Sequence, residues 1–234
     1  MSVPATATGP DAALHALLAR SAWARGLGCV ELERVRAETV VRRVAADGWV
    51  CRKGEQVEHW IGVADGLVKI SSVSFEGKLV TFTGVPAGGW FGEGSLLKDE
   101  PRRYDVIALR DSHVAYVPRA LFQWLLDTSI PFNRFLLLQL NERLGQFIGT
   151  VESERLLGAE ARVARCVAQM FNPLLYPGTG PGLRISQAEI GYLTGLSRQR
   201  VNQALQSLAA LGLLQVDYGG ITVNDPGALA RYEG

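Results

Sequence analysis

Residues 185–211 read ISQAEIGYLTGLSRQRVNQALQSLAAL, and the fold turns on this stretch. Its apolar spacing predicts two short helices joined by a tight turn. Ser186 precedes the first helix, and Glu189 three residues on completes a Ser-x-x-Glu capping box. Gly191, Gly195 and Val201 follow at spacings of four and six. A missing side chain at Gly191 lets the first helix press on the second. Gly195 can take the left-handed turn conformation without steric cost. Val201 would lock the second helix down, and Ser197 can accept an orphan N–H at its start. Val201, Leu205 and Leu208 form the buried stripe at helical spacing. The outward face is then Arg198, Gln199, Arg200, Asn202 and Gln203. Such side chains make paired hydrogen bonds to guanine or adenine edges in the major groove. With Ser186 and Gln187 at the first helix start, they are the candidate DNA-binding residues. A solvated helical hairpin would explain the first helix alone. It does not explain two hydroxyl caps, the Gly-x3-Gly-x5-Val spacing and the lack of any acid between Gly191 and Leu211.

Working outward, residues 213–223 read LLQVDYGGITV. Two short alternating strands around a Gly-Gly turn predict a hairpin. A hairpin directly after the second helix is a wing. The segment Ile185-Ser186-Gln187 through Glu189-Ile190-Gly191 and Gly195-Leu196-Ser197-Arg198-Gln199 to Val201 resembles a known pattern. It is similar to the DNA-binding end of the cyclic AMP receptor protein/FNR family of bacterial transcription regulators.

Upstream, residues 91–97 read FGEGSLL and residues 101–105 read PRRYD. Bare backbone N–H groups at Gly92 and Gly94 can approach an anion. Arg103, eleven residues after Gly92, can pair with a phosphate. A Gly-rich surface turn with a charged rim is the plainer alternative. The stretch resembles the family's phosphate-binding cassette, which makes Gly92, Glu93, Gly94, Ser95, Arg102, Arg103, Tyr104 and Asp105 candidate effector residues. The resemblance implies that Glu93 holds a ribose hydroxyl. In the family's cyclic AMP pattern a hydroxyl residue and an alanine follow the arginine. Here Tyr104 and Asp105 follow Arg103. A bulky ring and a carboxylate both oppose a phosphodiester there, and Asp105 could instead pair with Arg103. That pattern also presents a Thr-Ser pair to the adenine from the long helix. Phe147 and Ile148 stand at those places. The expectation is therefore no response to cyclic AMP of the usual kind. An apolar or non-nucleotide effector, or none at all, remains open, as does a cyclic-nucleotide regulator with an atypical pocket.

Between the cassette and the helix-turn-helix, Ile130, Asn133, Leu137, Leu140, Leu144, Phe147 and Val151 step by alternating threes and fours. That is a coiled-coil seam, and it predicts a homodimer. Leu137, Leu140, Leu144, Phe147 and Val151 are its contact residues, while Phe132, Phe135, Leu136 and Ile148 are expected to dock on the sensing domain. A dimer suits DNA reading, because two recognition helices then meet successive major grooves ~34 Å apart on a palindromic operator.

The whole chain fits this plan. Its 234 residues allow two modest cores, and 47% hydrophobic content is ordinary for a globular protein. Net charge is +1. Over residues 184–234, Arg184, Arg198, Arg200 and Arg231 balance Glu189, Asp217, Asp225 and Glu233. Phosphate affinity must then come from placement or from doubling the site. Residues 1–10 read as a disordered tail, neither signal peptide nor membrane span, which predicts a cytoplasmic protein. Leu14, Leu17 and Leu18 predict a helix over 11–23. Short apolar runs between glycines over 40–117 predict an antiparallel barrel or jelly roll. Gly158 is the expected hinge. A helix is predicted over 159–171, a loop over 172–182 and a tail over 227–234. Cys29, Cys51 and Cys166 form no CxxC pair, and the cysteine set of the FNR branch is absent. His15, His59 and His113 stand apart, so no metal is expected.

The predicted architecture is α+β. A cyclic-nucleotide-binding-like β-roll (jelly roll) spans 11–129, a dimerisation helix 130–157 and a winged helix-turn-helix 158–234. Expected partners are palindromic duplex DNA, a second copy and, from the resemblance alone, RNA polymerase. A ligand-binding module without DNA binding is the rival. An enzyme is disfavoured by the lack of a Ser/His/Asp set, metal-ligand cluster or Walker loop.

Overall fold

A computed structural model describes residues 9–77 and 79–234. Three helices come first: α1 (Pro10–Arg20), α2 (Ala22–Arg25) and α3 (Cys29–Glu38). The expected tail lies outside the described residues up to residue 8. Pro10 itself opens α1, where a missing N–H costs nothing.

The roll follows. Its strands are β1 (Val40–Val44), β2 (Trp49–Cys51), β3 (His59–Asp65), β4 (Leu67–Val73), β5 (Leu79–Pro86) and β6 (Trp90–Phe91). After the short helix α4 (Glu93–Lys98) come β7 (Asp105–Ala108) and β8 (Ser112–Pro118). They make two four-stranded antiparallel sheets, ordered β1-β8-β3-β6 and β2-β7-β4-β5. The glycines that punctuate the sequence let the chain turn between them; Gly66, at φ +100°, joins β3 to β4.

At one end of the roll α1, α2, α5 (Arg119–Thr128) and the start of α6 (Ile130–Leu156) enclose an aromatic core. Trp60 and Trp90 stack at 4.3 Å, and Trp23 meets both at 5.2 Å. Trp90 Nε1 donates to Ser21 Oγ at 2.8 Å. Gly62 permits this stack, since a Cβ there would stand 2.8 Å from the Trp90 ring.

The C-terminal part comprises α7 (Ala159–Gln169), β9 (Gly182–Leu183), α8 (Gln187–Thr194), α9 (Arg198–Ala210), β10 (Leu214–Asp217), β11 (Gly220–Val223) and α10 (Pro226–Arg231). Two expectations need correction. The predicted tail over 227–234 is largely helix: Asp225 caps α10, and Leu229 is fully buried against the domain core. The wing has three strands, because β9, from the predicted loop, pairs with β11.

The two halves lend each other core residues. Leu67 of β4 packs in the apolar cluster of Val163, Ile190 and Leu208. In return Leu175 and Tyr176, from the segment after α7, sit inside the roll with Val85, Phe91 and Val114.

Candidate nucleic-acid interface and effector site

The helix-turn-helix forms from the local chemistry of its sequence. Ser186 Oγ accepts from Glu189 N at 3.2 Å, and Glu189 Oε2 accepts from Ser186 N at 2.5 Å. Gly195 takes φ +66° as the C-cap of α8. A Cβ on Gly191 would stand 2.8 Å from the Leu196 carbonyl oxygen, so the turn closes directly over this glycine. Ser197 Oγ accepts from Arg200 N at 3.4 Å and starts α9. Val201, Leu205 and Leu208 are buried, which leaves Arg198, Gln199, Arg200, Asn202 and Gln203 exposed. Gln187 Nε2 donates to Asn202 Oδ1 at 2.8 Å and ties the two helices across this face. Arg198 lines a cleft with Val216, Asp217 and Gly219 of the wing. The wing turn is Tyr218-Gly219, with Gly219 at φ +80° and Gly220 already in β11.

The first helix also docks on the roll. Arg110 Nη2 donates to Glu189 Oε1 at 2.6 Å, Lys69 Nζ lies 4.7 Å from the Tyr192 ring centre, and Leu193 and Met170 cover Gly84.

In the cassette, Gly92 caps α4 in a left-handed conformation, φ +95°. Glu93 is buried, and its Oε1 faces Arg143 Nε of α6 at 3.5 Å. Arg143 Nη2 donates to the Trp90 carbonyl at 2.6 Å, and Gln139 Nε2 reaches the same oxygen at 3.2 Å. Ser95 is buried and Gly94 is open on its Cα side. The inward arginine is Arg102, not Arg103. Arg102 packs against Gly92 and donates from Nη2 to the His59 carbonyl at 2.5 Å. Arg103 points to solvent and binds Glu100 at 2.7 Å. The reason is a one-residue phase. Arg102 N bonds Glu55 O and its carbonyl accepts from Gly54 N, which fixes that residue inward and turns the next one out.

Asp105 neither pairs with Arg103 nor enters the site; its Oδ1 accepts from Lys53 N at 2.8 Å. Tyr104, half-buried, has its phenol pushed up to about 12, by burial first and by Glu93 next. Glu93 Oε2 and Arg102 Nη1 are buried without hydrogen-bond partners.

On α6 the residues expected to form a seam, Leu137, Leu140, Leu144, Phe147 and Val151, are 37–69% exposed in the single chain. Phe132, Phe135 and Leu136 are buried on the other face, as the heptad implied. Ile148 is not; it is 60% exposed in the single chain. Asn133, in the same step, is half-buried, and its Nδ2 donates to the Leu126 and Ser129 carbonyls. Gly158 is the N-cap of α7 at φ −69°, a conformation open to any residue, with nothing near its Cα. Leu175 and Tyr176 escaped sequence reasoning altogether.

Among the described residues, no group of three or more His, Cys, Asp or Glu is placed to hold a metal ion. Burial pushes the Cys51 and Cys166 thiols up to about 11 and about 12, so neither is a ready thiolate. Among the described residues, no helix is long and apolar enough to cross a membrane.

Comparison with known proteins supports both halves. Residues 41–129 match the cyclic nucleotide-binding domain, and residues 161–232 the Crp-like helix-turn-helix domain. The chain is 27% identical over 192 residues to the cAMP-activated global transcriptional regulator Vfr of Pseudomonas aeruginosa, covering 79% of this chain and 89% of that protein. It is 29% identical over 167 residues to the cyclic AMP receptor protein of Thermus thermophilus, covering 71% and 76%. The structure of FixK2 from Bradyrhizobium japonicum superposes with a TM-score of 0.69 at 20% identity, over 84% of this chain and 98% of that one, a likeness of fold.

Proposed function

Because the chain belongs to the Crp/Fnr family of DNA-binding transcription regulators, we propose that it reads a palindromic operator as a homodimer, without cyclic AMP control of the usual kind. In this reading residues 11–129 form the regulatory roll, 130–157 the dimer helix and 158–234 the reader. The protein works in the cytoplasm beside RNA polymerase, as the family relationship implies.

The observation that carries the reading is α9. Its polar face is exposed, its start is capped and the wing flanks it. Arg198 and Gln199 stand where a recognition helix enters the groove. Arg198 suits guanine and Gln199 adenine. Replacing Arg198 with alanine should cost about 1–3 kcal/mol of operator affinity and relax preference at one base position. Selection from random-sequence duplex DNA followed by titration of both proteins checks this. Equal affinity would remove Arg198 from the base-reading set.

The long helix fits cyclic AMP poorly. Arg102 donates from Nη2 to the His59 carbonyl and Glu93 faces Arg143 through Oε1, which leaves Arg102 Nη1 and Glu93 Oε2 free, so the obstacle to cyclic AMP lies on the long helix. Phe147 and Ile148 would leave the polar edge of an adenine unsatisfied, at ~1–3 kcal/mol. Calorimetry with cyclic AMP and cyclic GMP should show no micromolar binding. Micromolar binding of either, with a matching gain in operator affinity, would overturn this part of the reading.

A further inference from the structure

Beside the cassette, a later segment of the chain enters the interior of the roll. Asn172 to Tyr176 forms a single compact turn. Asn172 Oδ1 accepts from Leu174 N at 3.0 Å and Leu175 N at 2.9 Å, and its carbonyl accepts from Tyr176 N at 2.8 Å. Pro173 and Pro177 stiffen both flanks. The turn delivers two apolar side chains to the roll interior. Leu175 is 3% and Tyr176 1% exposed, both packed among Val85, Phe91 and Tyr104.

Tyr176 lies on the cassette side. A Cβ on Gly89 would stand 3.0 Å from its ring carbon Cδ1. Its hydroxyl donates to Gln146 Oε1 of α6 at 3.4 Å. It is near enough to Arg143, the ion-pair partner of cassette residue Glu93, to affect that guanidinium. The ring thus bridges the cassette approach at 89–93 and the dimer helix at 143–146. The rest of the segment is fixed as well. Asn172 Nδ2 donates to Glu142 Oε2 at 3.0 Å, and Gly178 lies against the Ala87 carbonyl and Arg20.

We propose that residues 172–178 act as a built-in ligand of the roll, with the Tyr176 phenol taking the place of an external effector. This rests on reading the roll as the regulatory half of the molecule. The consequence is a regulator that orders its DNA-binding domain without a small molecule. The segment leads directly into β9 and α8, so seating the ring positions the helix-turn-helix. The Arg110–Glu189 ion pair and the Lys69–Tyr192 contact then hold the first helix on the same roll. An external molecule suited to displace the ring is a planar aromatic of similar size, since the apolar seat among Val85 and Phe91 carries the contact.

The test uses the full-length protein and a duplex selected by it from random-sequence DNA, with no small molecule added. Wild type should bind that duplex. Tyr176→Gly should bind it about 5- to 150-fold more weakly, the usual span of a coupling between sites. Millimolar p-cresol, the side chain removed by that substitution, should restore most of the loss by filling the cavity. Tyr176→Phe should stay close to wild type. Unchanged binding by Tyr176→Gly, or a loss in a folded dimer that p-cresol leaves untouched, overturns the proposal. Hydrogen exchange on the wild type keeps the test open should Tyr176→Gly fail to fold. The Tyr176 and Thr179 amides should exchange as slowly as those of Val85 and Val114, and exchange typical of an exposed loop overturns it. A wild type that binds DNA only after a small molecule is added overturns this proposal alone. A wild type that selects no duplex overturns the DNA-binding reading with it.

Discussion

Replacing Leu140 and Leu144 together with aspartate should yield monomers by light scattering and abolish binding to the selected operator. Both leucines lie in the middle of the proposed seam on α6 and are exposed in the single chain. Truncating one buried leucine costs ~2–5 kcal/mol, and the pair recurs in each copy. Aspartate adds carboxylates that must leave water and oppose like charges across the seam. Operator binding falls with the dimer because each half-site alone offers one recognition helix, and linkage supplies the remaining avidity. The roll should survive, since Phe132, Phe135 and Leu136 anchor α6 to it from the opposite face. A variant of unchanged mass would place dimerisation on another surface.

The second large effect is expected at Arg143→Leu. This substitution strands the Glu93 carboxylate, which is 4% exposed on its side chain and loses its facing cation. Breaking a buried pair from one side costs ~3–5 kcal/mol, whereas replacing both members costs far less. Urea unfolding should therefore show a large drop for Arg143→Leu and a clear recovery for Arg143→Leu combined with Glu93→Leu. The Trp90 carbonyl keeps Gln139 as a donor in both variants, so the recovery isolates the charge. Equal stability of the single and double variants would show that the pair is well hydrated.

What could be read from the sequence was set by chemistry within a few residues. The Ser186–Glu189 box, the left-handed Gly195 and the Ser197 cap are local devices, and each formed as its neighbours dictate. The heptad along α6 was legible as a period, and Leu137, Leu140, Leu144, Phe147 and Val151 are exposed in the single chain. The arginine assignment failed for want of any period. Pro101 to Asp105 is a short connection whose inward residue is chosen by bonds to Gly54 and Glu55, far back in the chain. Ile148 was misplaced because the pattern shows that a second apolar face exists, not how far along the helix that face is covered. Leu175 and Tyr176 were invisible for the same physical reason. Three prolines and three glycines over 172–182 announce a loop correctly, but no local signal tells which foreign core a loop enters.

The exchange of Leu67 for Leu175 and Tyr176 bears on how such a chain can be made and recombined. Emerging amino end first, all eight roll strands leave the ribosome before residue 175. Until the later segment arrives, the interior beside Val85 and Phe91 is open at one end, the kind of unfinished apolar surface that invites aggregation. The same exchange limits modular reuse. A graft that joins this roll to another reader at Gly158 would carry away the two side chains that close it, and leave Leu67 without its seat. A cut beyond Gly178 would keep Leu175 and Tyr176 with the roll, but it would part Val163 and Val167 of α7 from Ile190 and Leu208, so no single cut leaves both modules whole.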